Sequence, residues 1–167
     1  MEIERKFRVR GTPWRQASEA QALSQGYLAR DGHTVVRVRV SAASAWLTVK
    51  GPTRGIGREE FEYPIPRSDG AALLALCGDR VVEKTRHILW EEGSRFEIDV
   101  FSGRNAGLVV AEIELQDPDQ NFPHPPWLAE EVSLDIRYRN SELCVHPYSE
   151  WSPVSSGTSE AGSDSSP

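Results

Sequence analysis

Acids and cations recur two residues apart along this chain, and that spacing has chemical consequences. Glu2 and Glu4, and again Glu112 and Glu114, stand at i and i+2. Residues two apart share one face of an extended strand, so each pair holds two negative charges side by side, a repulsion that a bound cation relieves. A hard divalent ion held by oxygen ligands suits such pairs. Mg²⁺ or Mn²⁺ is the expectation, because no His or Cys cluster offers the softer donors zinc prefers. Cations follow the same rule in Arg37-Val38-Arg39 and Lys84-Thr85-Arg86. Their repulsion would be relieved by a polyanion.

Arginine outnumbers lysine 16 to 3, and Lys6, Lys50 and Lys84 all fall beside other charges in strand-like contexts. A solvated face accepts either residue, so these positions point to a need for a compact ammonium or for one that can lose its proton.

Short alternating runs set these residues on strands. The candidates are Glu2 to Val9, Thr34 to Val40, Ala45 to Lys50, Arg58 to Ile65, Val81 to Trp90, Arg95 to Phe101 and Val109 to Gln116, punctuated by Gly, Pro, Asn and Asp. Each carries a charged face and an apolar one: Glu2, Glu4 and Lys6 against Ile3 and Phe7; Arg58, Glu60 and Glu62 against Phe61 and Tyr63; Glu97 and Asp99 against Phe96 and Ile98. Helices are expected over Pro13 to Gln25, capped by Thr12, and over Ser68 to Cys77, with short ones starting at Asp117 and near Asn140. Strands dominate without a βαβ rhythm, which gives an α+β class with a largely antiparallel sheet. Alternation alone fits two arrangements: a sandwich whose charged faces meet water, or a closed sheet whose charged faces point inward.

At 167 residues, 38% apolar and 26% charged, the chain matches one ordinary globular domain, and no apolar run is long enough for a membrane span. The N-terminus lacks the apolar core of a secretory signal, so a cytoplasmic location is expected. Cys77 and Cys144 are far apart and read as buried, reduced thiols. The net charge is −6, and Glu150, Glu160 and Asp164 in the segment after Pro147 leave −3 for the remainder. That balance excludes a duplex nucleic-acid surface. Residues 148–167, rich in Ser, Gly and acid, read as a disordered tail after a single domain over residues 1–147. Phe122 to Trp127, with three prolines, reads as a rigid loop.

The charged motifs resemble those of the CYTH family, also called triphosphate tunnel metalloenzymes. Glu2-Ile3-Glu4-Arg5-Lys6 matches its Glu-x-Glu-x-Lys signature. Gln25-Gly26-Tyr27-Leu28, Val36-Arg37-Val38-Arg39, Leu47-Thr48-Val49-Lys50-Gly51, Arg58-Glu59-Glu60-Phe61-Glu62, Glu83-Lys84-Thr85-Arg86, Phe96-Glu97-Ile98-Asp99-Val100 and Ala111-Glu112-Ile113-Glu114 follow in family order. Glu130-Glu131-Val132-Ser133 and Arg137 to Ser141 are similar to the end of its small bacterial members. The resemblance implies a closed eight-stranded antiparallel β-barrel, a triphosphate tunnel, with a few peripheral helices. It also implies that Glu2, Glu4 and Glu114 bind the metal, with Glu112 close by or serving a second ion, and that Lys6, Arg37, Arg39, Lys50, Arg58, Lys84 and Arg86 grip phosphate. Glu60, Glu62, Glu97 and Asp99 either touch the metal or only orient the cations.

A general base is also needed to activate water. A lysine crowded by cations has a depressed pKa, which selects Lys84 beside Arg86, and the family's Lys and Tyr dyad makes Tyr27 its orienting partner. The activity implied is metal-dependent hydrolysis of a small-molecule triphosphate, inorganic tripolyphosphate foremost, by a monomer or homodimer. Alternatives within the family are cyclisation of ATP to cyclic AMP and hydrolysis of thiamine triphosphate, for which Trp46 or Trp127 would supply an aromatic contact. Outside enzymology, the same cations would serve a non-catalytic polyphosphate or nucleotide binder.

Overall fold

Every strand pairing among the described residues is antiparallel, so the two-residue alternation is carried from strand to strand except where the register shifts between Phe7 and Val9 and between Tyr27 and Ala29. The structure, a computed structural model, describes residues 2–31 and 33–151. It contains strands β1 (Glu2–Val9), β2 (Glu19–Arg30), β3 (Val35–Val40), β4 (Ala45–Lys50), β5 (Gly57–Arg58), β6 (Glu60–Ile65), β7 (Val81–Glu91), β8 (Ser94–Phe101), β9 (Val109–Leu115) and β10 (Leu128–Glu131), with helices α1 (Arg67–Leu76) and α2 (Asn140–Leu143). Their order is β10-β1-β9-β8-β7-β2-β3-β4-β6, with β5 against β1. Since β5 and β6 are separated only by Glu59, that segment pairs with β4 at one end and with β1 at the other, through Glu2↔Arg58 and Ile3↔Gly57. Counted as one strand, with β10 set aside on the far half of β1, it completes a nearly closed ring of eight strands. The expected strand from Arg58 to Ile65 is thus bent, and the bend is what closes the barrel.

Register decides which face looks inward. Glu4 lies opposite Glu114, Lys6 opposite Glu112, Glu97 opposite Glu112, Arg86 opposite Asp99, Arg37 opposite Thr48 and Lys50 opposite Glu60. Most of the charged residues on this face form ion pairs across the interior, Lys6 with Glu4 and Glu112, Arg86 with Glu97, Asp99 and Glu112, and Lys50 with Glu60, so the charged faces converge and the apolar faces point out. The outward apolar faces must then be covered. Ile3, Phe7, Phe96, Ile98, Ile113 and Leu115 pack beneath Phe122, Trp127 and Leu128, which gives the proline-rich loop its role. Helix α1 lies over Val38, Val40 and Ala45 through Leu73, Leu74 and Cys77. Val82, Phe101 and Val110, inward-facing by register, are packed by Val132, Tyr138 and Leu143 from the chain after β10. Both cysteines are buried and free. Among the described residues no helix is long and apolar enough to cross a membrane.

Three sequence expectations are corrected. Pro13 to Gln25 is helical only as a single 3-10 turn, Pro13–Gln16, and Glu19 begins β2. Its alanines favour a helix intrinsically, but β2 is hydrogen-bonded on both edges, to β3 and β7, and that pairing outweighs local propensity. No helix starts at Asp117; the carbonyl and carboxylate of Asp117 accept from the Gln120 and Asp119 amides in a turn. Tyr148–Glu150 is a 3-10 turn and Trp151 packs edge-on to Tyr138 and Tyr148, both with ring centroids 5.0 Å away, so packed chain continues past the expected tail boundary. The rest of that tail, residues 152–167, lies outside the described residues.

Gly26 shows how closely α1 is seated. A Cβ there would lie 2.5 Å from Cys77 Sγ and 2.8 Å from its Cβ. Gly26→Ala is expected to destabilise the fold by about 1–3 kcal/mol through overpacking, read as a lower urea midpoint at constant m-value.

Candidate active site

The lumen is built from cations on β3, β4 and β7 facing carboxylates on β1, β6, β8 and β9. Lys50 Nζ lies 3.0 and 2.9 Å from the two oxygens of Glu2 and 2.7 Å from Glu60. Arg58 Nε donates to the same Glu2 at 3.3 Å. Glu62 accepts from Arg39 at 3.0 Å, from Arg37 at 3.3 Å and from the Thr48 hydroxyl at 3.0 Å. Arg86 forks onto both oxygens of Asp99 at 2.7 Å each and reaches Glu112 at 2.7 Å. Lys6 pairs with Glu4 and Glu112, and Lys84 with Asp99. Glu60, Glu62, Glu97 and Asp99 are thus each ion-paired with a lumen cation.

The ring is electrically uneven. Burial alone would raise the Glu112 pKa, but Lys6 and Arg86 outweigh it and hold the carboxyl well below the usual range. Asp99 is likewise depressed: burial works against it, and Arg86 and Lys84 prevail. Lys6 moves upward because Glu112 and Glu4 overcome the cost of its burial. Lys84 goes the other way, to about 8, with burial the main cause; Asp99 opposes the shift and Arg86 adds to it. Crowding by cations is thus the lesser reason for a depression that the sequence already suggested. On β3 the cations are undersupplied with acceptors. The Nε–H groups of both Arg37 and Arg39 are buried without a partner among the described residues. Arg39, stacked 4.9 Å from the Trp46 ring, has its charge disfavoured by burial and then by Arg37.

Lys6, Tyr27, Arg37, Arg39, Lys50, Arg58, Lys84, Arg86, Glu4 and Glu112 all line one cavity. Glu114 lies at an adjoining cleft with Glu4, Glu97 and Glu112, while Glu2 is tied to Lys50 and Arg58. Two sets of contacts differ from expectation. Both oxygens of Glu112 are engaged, by Lys6 and Arg86. No hydrogen bond joins Tyr27 to Lys84 among the described residues: the Tyr27 hydroxyl accepts from Gln25 Nε2 at 3.0 Å, and Lys84 is held by Asp99 and by Asn140 Oδ1 at 3.3 Å. The reason lies in register, which sets Tyr27 beside Arg37, whereas the cross-strand neighbours of Lys84 are Leu23 and Phe101. Burial pushes the Tyr27 hydroxyl up to about 12. Gln25, Thr48 and Asn140 escaped the sequence reading. Thr48 could have been found from its alternation with Lys50; Asn140 lies in the quoted stretch Arg137 to Ser141, but its contact with Lys84 depends on a segment distant in the chain.

Glu114 faces Glu4 directly across β1 and β9, and no cation pairs with it among the described residues. Its pKa is raised, by the little burial it has and then by the charges of Glu2 and Glu4. An all-oxygen donor set under mutual repulsion fits a divalent cation. Among the described residues no three ligating side chains are already drawn together into a cage, so an ion would have to gather them.

Asp99 is fully buried beneath two cations. Asp99→Asn leaves Lys84 and Arg86 undercompensated and is expected to cost about 3–5 kcal/mol, visible as a large drop in denaturation midpoint. An unchanged midpoint would show that the interior is far wetter than its packing implies.

The CYTH domain family matches residues 1–143. An inorganic triphosphatase of Acetivibrio thermocellus is 44% identical over 148 residues, spanning 88% of this chain and 95% of that protein. An inorganic triphosphatase of Nitrosomonas europaea is 36% identical over 148 residues, spanning 86% and 97%. The crystal structure of an inorganic triphosphatase superposes with a TM-score of 0.64 at 36% identity, covering 87% of this chain and 95% of the other. A match this long, on a barrel whose charges turn inward, places the chain in the CYTH domain family.

Proposed function

We propose that this chain hydrolyses inorganic tripolyphosphate to pyrophosphate and orthophosphate with Mg²⁺ or Mn²⁺ bound at Glu2, Glu4 and Glu114. The observation that carries the reading is the pair of buried, acceptorless guanidinium donors on Arg37 and Arg39, set among further cations in an enclosed lumen. Unpaired buried donors are costly, and a phosphate chain supplies the acceptors they lack. Triphosphatases of this family are metal-dependent. The two named relatives that match nearly all of the chain are inorganic triphosphatases, which supports the choice of substrate.

Ion pairs across the lumen leave only about 50 Å³ open. A triphosphate therefore binds by exchange: Arg37, Arg39 and Lys50 release Glu62, Glu60 and Glu2 and take phosphate oxygens in their place. Arg86 stays fixed by its fork onto Asp99 and is preorganised to stabilise charge spreading over the transferred phosphoryl group. Lys84, neutral above about pH 8, accepts a proton from the attacking water; the oxygen forms a bond to the terminal phosphorus and pyrophosphate departs with the electrons of the broken anhydride bond. When bound, the divalent ion supplies Lewis-acid charge neutralisation at the phosphate oxygens.

A panel of tripolyphosphate, ATP and thiamine triphosphate with Mg²⁺ or Mn²⁺ tests this. The highest kcat/KM is expected for tripolyphosphate, with orthophosphate as product. Cyclic AMP and pyrophosphate from ATP as the dominant reaction would replace the reading with a cyclase, and tight binding without turnover would replace it with a binder.

A further inference from the structure

The lumen has a second boundary, and it is basic. Val35, Arg58, Arg139 and Ser141 line the lumen and also an outer cleft, so the two spaces adjoin at these residues. The cleft, about 280 Å³, is walled by Arg30, His33 and the Gly51–Gly55 loop as well. Arg30 already has partners, donating to the Ser141 carbonyl at 3.2 Å and pairing with Glu142, and Arg58 donates to Glu2. Arg139 is different. Its half-buried guanidinium has no hydrogen-bond or ion-pair partner among the described residues; the guanidiniums of Arg58 and Arg30 are near it, and the one carboxylate lining the cleft, Glu142, is paired with Arg30.

A cation whose neighbours are cations is stabilised by an anion, and an arginine fork suits phosphate oxygens. Another cleft beside the lumen is mostly acidic, with Glu4, Glu97, Glu112 and Glu114 against the single Arg95. A small phosphate leaving the lumen would be repelled there and attracted at the Arg139 side.

We propose that the cleft around Arg139 is a second anion site, taking orthophosphate, through which the phosphate product leaves the lumen. The site itself stands on the cleft's charge and shape; its role in product departure rests on the triphosphatase reading.

The test is calorimetric titration of the full chain with inorganic phosphate after the lumen has been saturated with imidotriphosphate and Mg²⁺. Phosphate is expected still to bind, about tenfold more weakly in Arg139→Ala, as for loss of one charge-assisted contact, and with partial recovery in Arg139→Lys. In turnover, phosphate should inhibit Arg139→Ala about tenfold less than wild type. Equal phosphate affinities in wild type and Arg139→Ala, or phosphate binding that disappears once imidotriphosphate is bound, would overturn the site. Far-ultraviolet circular dichroism of both variants separates loss of the site from loss of fold. Absence of imidotriphosphate binding and of tripolyphosphate hydrolysis would instead remove the triphosphatase reading, and the phosphate titration would still decide the site by its dependence on Arg139.

Discussion

Replacing Lys84 by alanine is expected to lower kcat for tripolyphosphate by about 10²–10⁴-fold, the usual worth of a positioned general base. The distinguishing readout is the pH profile. Lys84 must be neutral to accept a proton, and its pKa of about 8 lies below that of an ordinary lysine. In the wild type, kcat/KM should therefore rise as pH increases through about 8 and then level off, because this parameter reports the free enzyme. The variant should lose that limb while keeping a weak, flatter residual rate from the cation ring. Lys84→Arg should not rescue it, since a guanidinium stays protonated throughout. A wild-type profile flat from pH 6 to 10, or an unchanged limb in Lys84→Ala, would assign the base elsewhere. Tyr27→Phe makes a useful contrast. Its hydroxyl bonds Gln25 and not Lys84, so the variant should leave the position of the alkaline limb in place.

The second large effect concerns the carboxylates facing one another across β1 and β9. Glu114→Gln and Glu4→Gln are each expected to reduce activity by about 10²-fold or more at low metal and to recover in part at high Mn²⁺, as for loss of a direct ligand. Glu114→Gln is the cleaner of the two, because Glu4 also pairs with Lys6 whereas Glu114 pairs with no cation among the described residues. The raised pKa of Glu114 adds a sign to the acid side. It takes up a proton sooner than an ordinary carboxylate as pH falls, so metal affinity should weaken early on acidification. Glu112→Gln should behave differently. It removes the shared partner of Lys6 and Arg86, so its main effect should be lost stability that added metal does not restore. If Glu112→Gln is instead rescued by Mn²⁺ and Glu114→Gln is not, the metal site lies deeper in the lumen.

Much of this site was visible in the order of residues. A strand's period of two makes the faces of Glu2-Glu4-Lys6, Arg37-Arg39 and Glu97-Asp99 certain once the segment is extended, whatever surrounds it. The motifs' resemblance to one family then pointed to the inward arrangement. Where the reading failed, neighbours outweighed the local signal. Residues 19–25 look helical by their alanines and belong to a central strand because β3 and β7 occupy both edges. Leu128–Glu131 is too short to announce itself and exists as β10 because β1 offers a free edge.

What the sequence determined by itself was which side chains must travel together: like charges at i and i+2 remain side by side in any extended structure, so the demand for a metal and a polyanion was already present in the one-dimensional text. What only the tertiary structure decided was which opposite charge answers which, since that depends on register and closure between distant segments. Lys84 is held by Asp99 and Asn140 instead of Tyr27, Glu112 is shared by Lys6 and Arg86, and Arg139 is left beside two other arginines. The Coulomb energy of a pair depends on separation in space, and separation along the chain says little about it until the barrel closes.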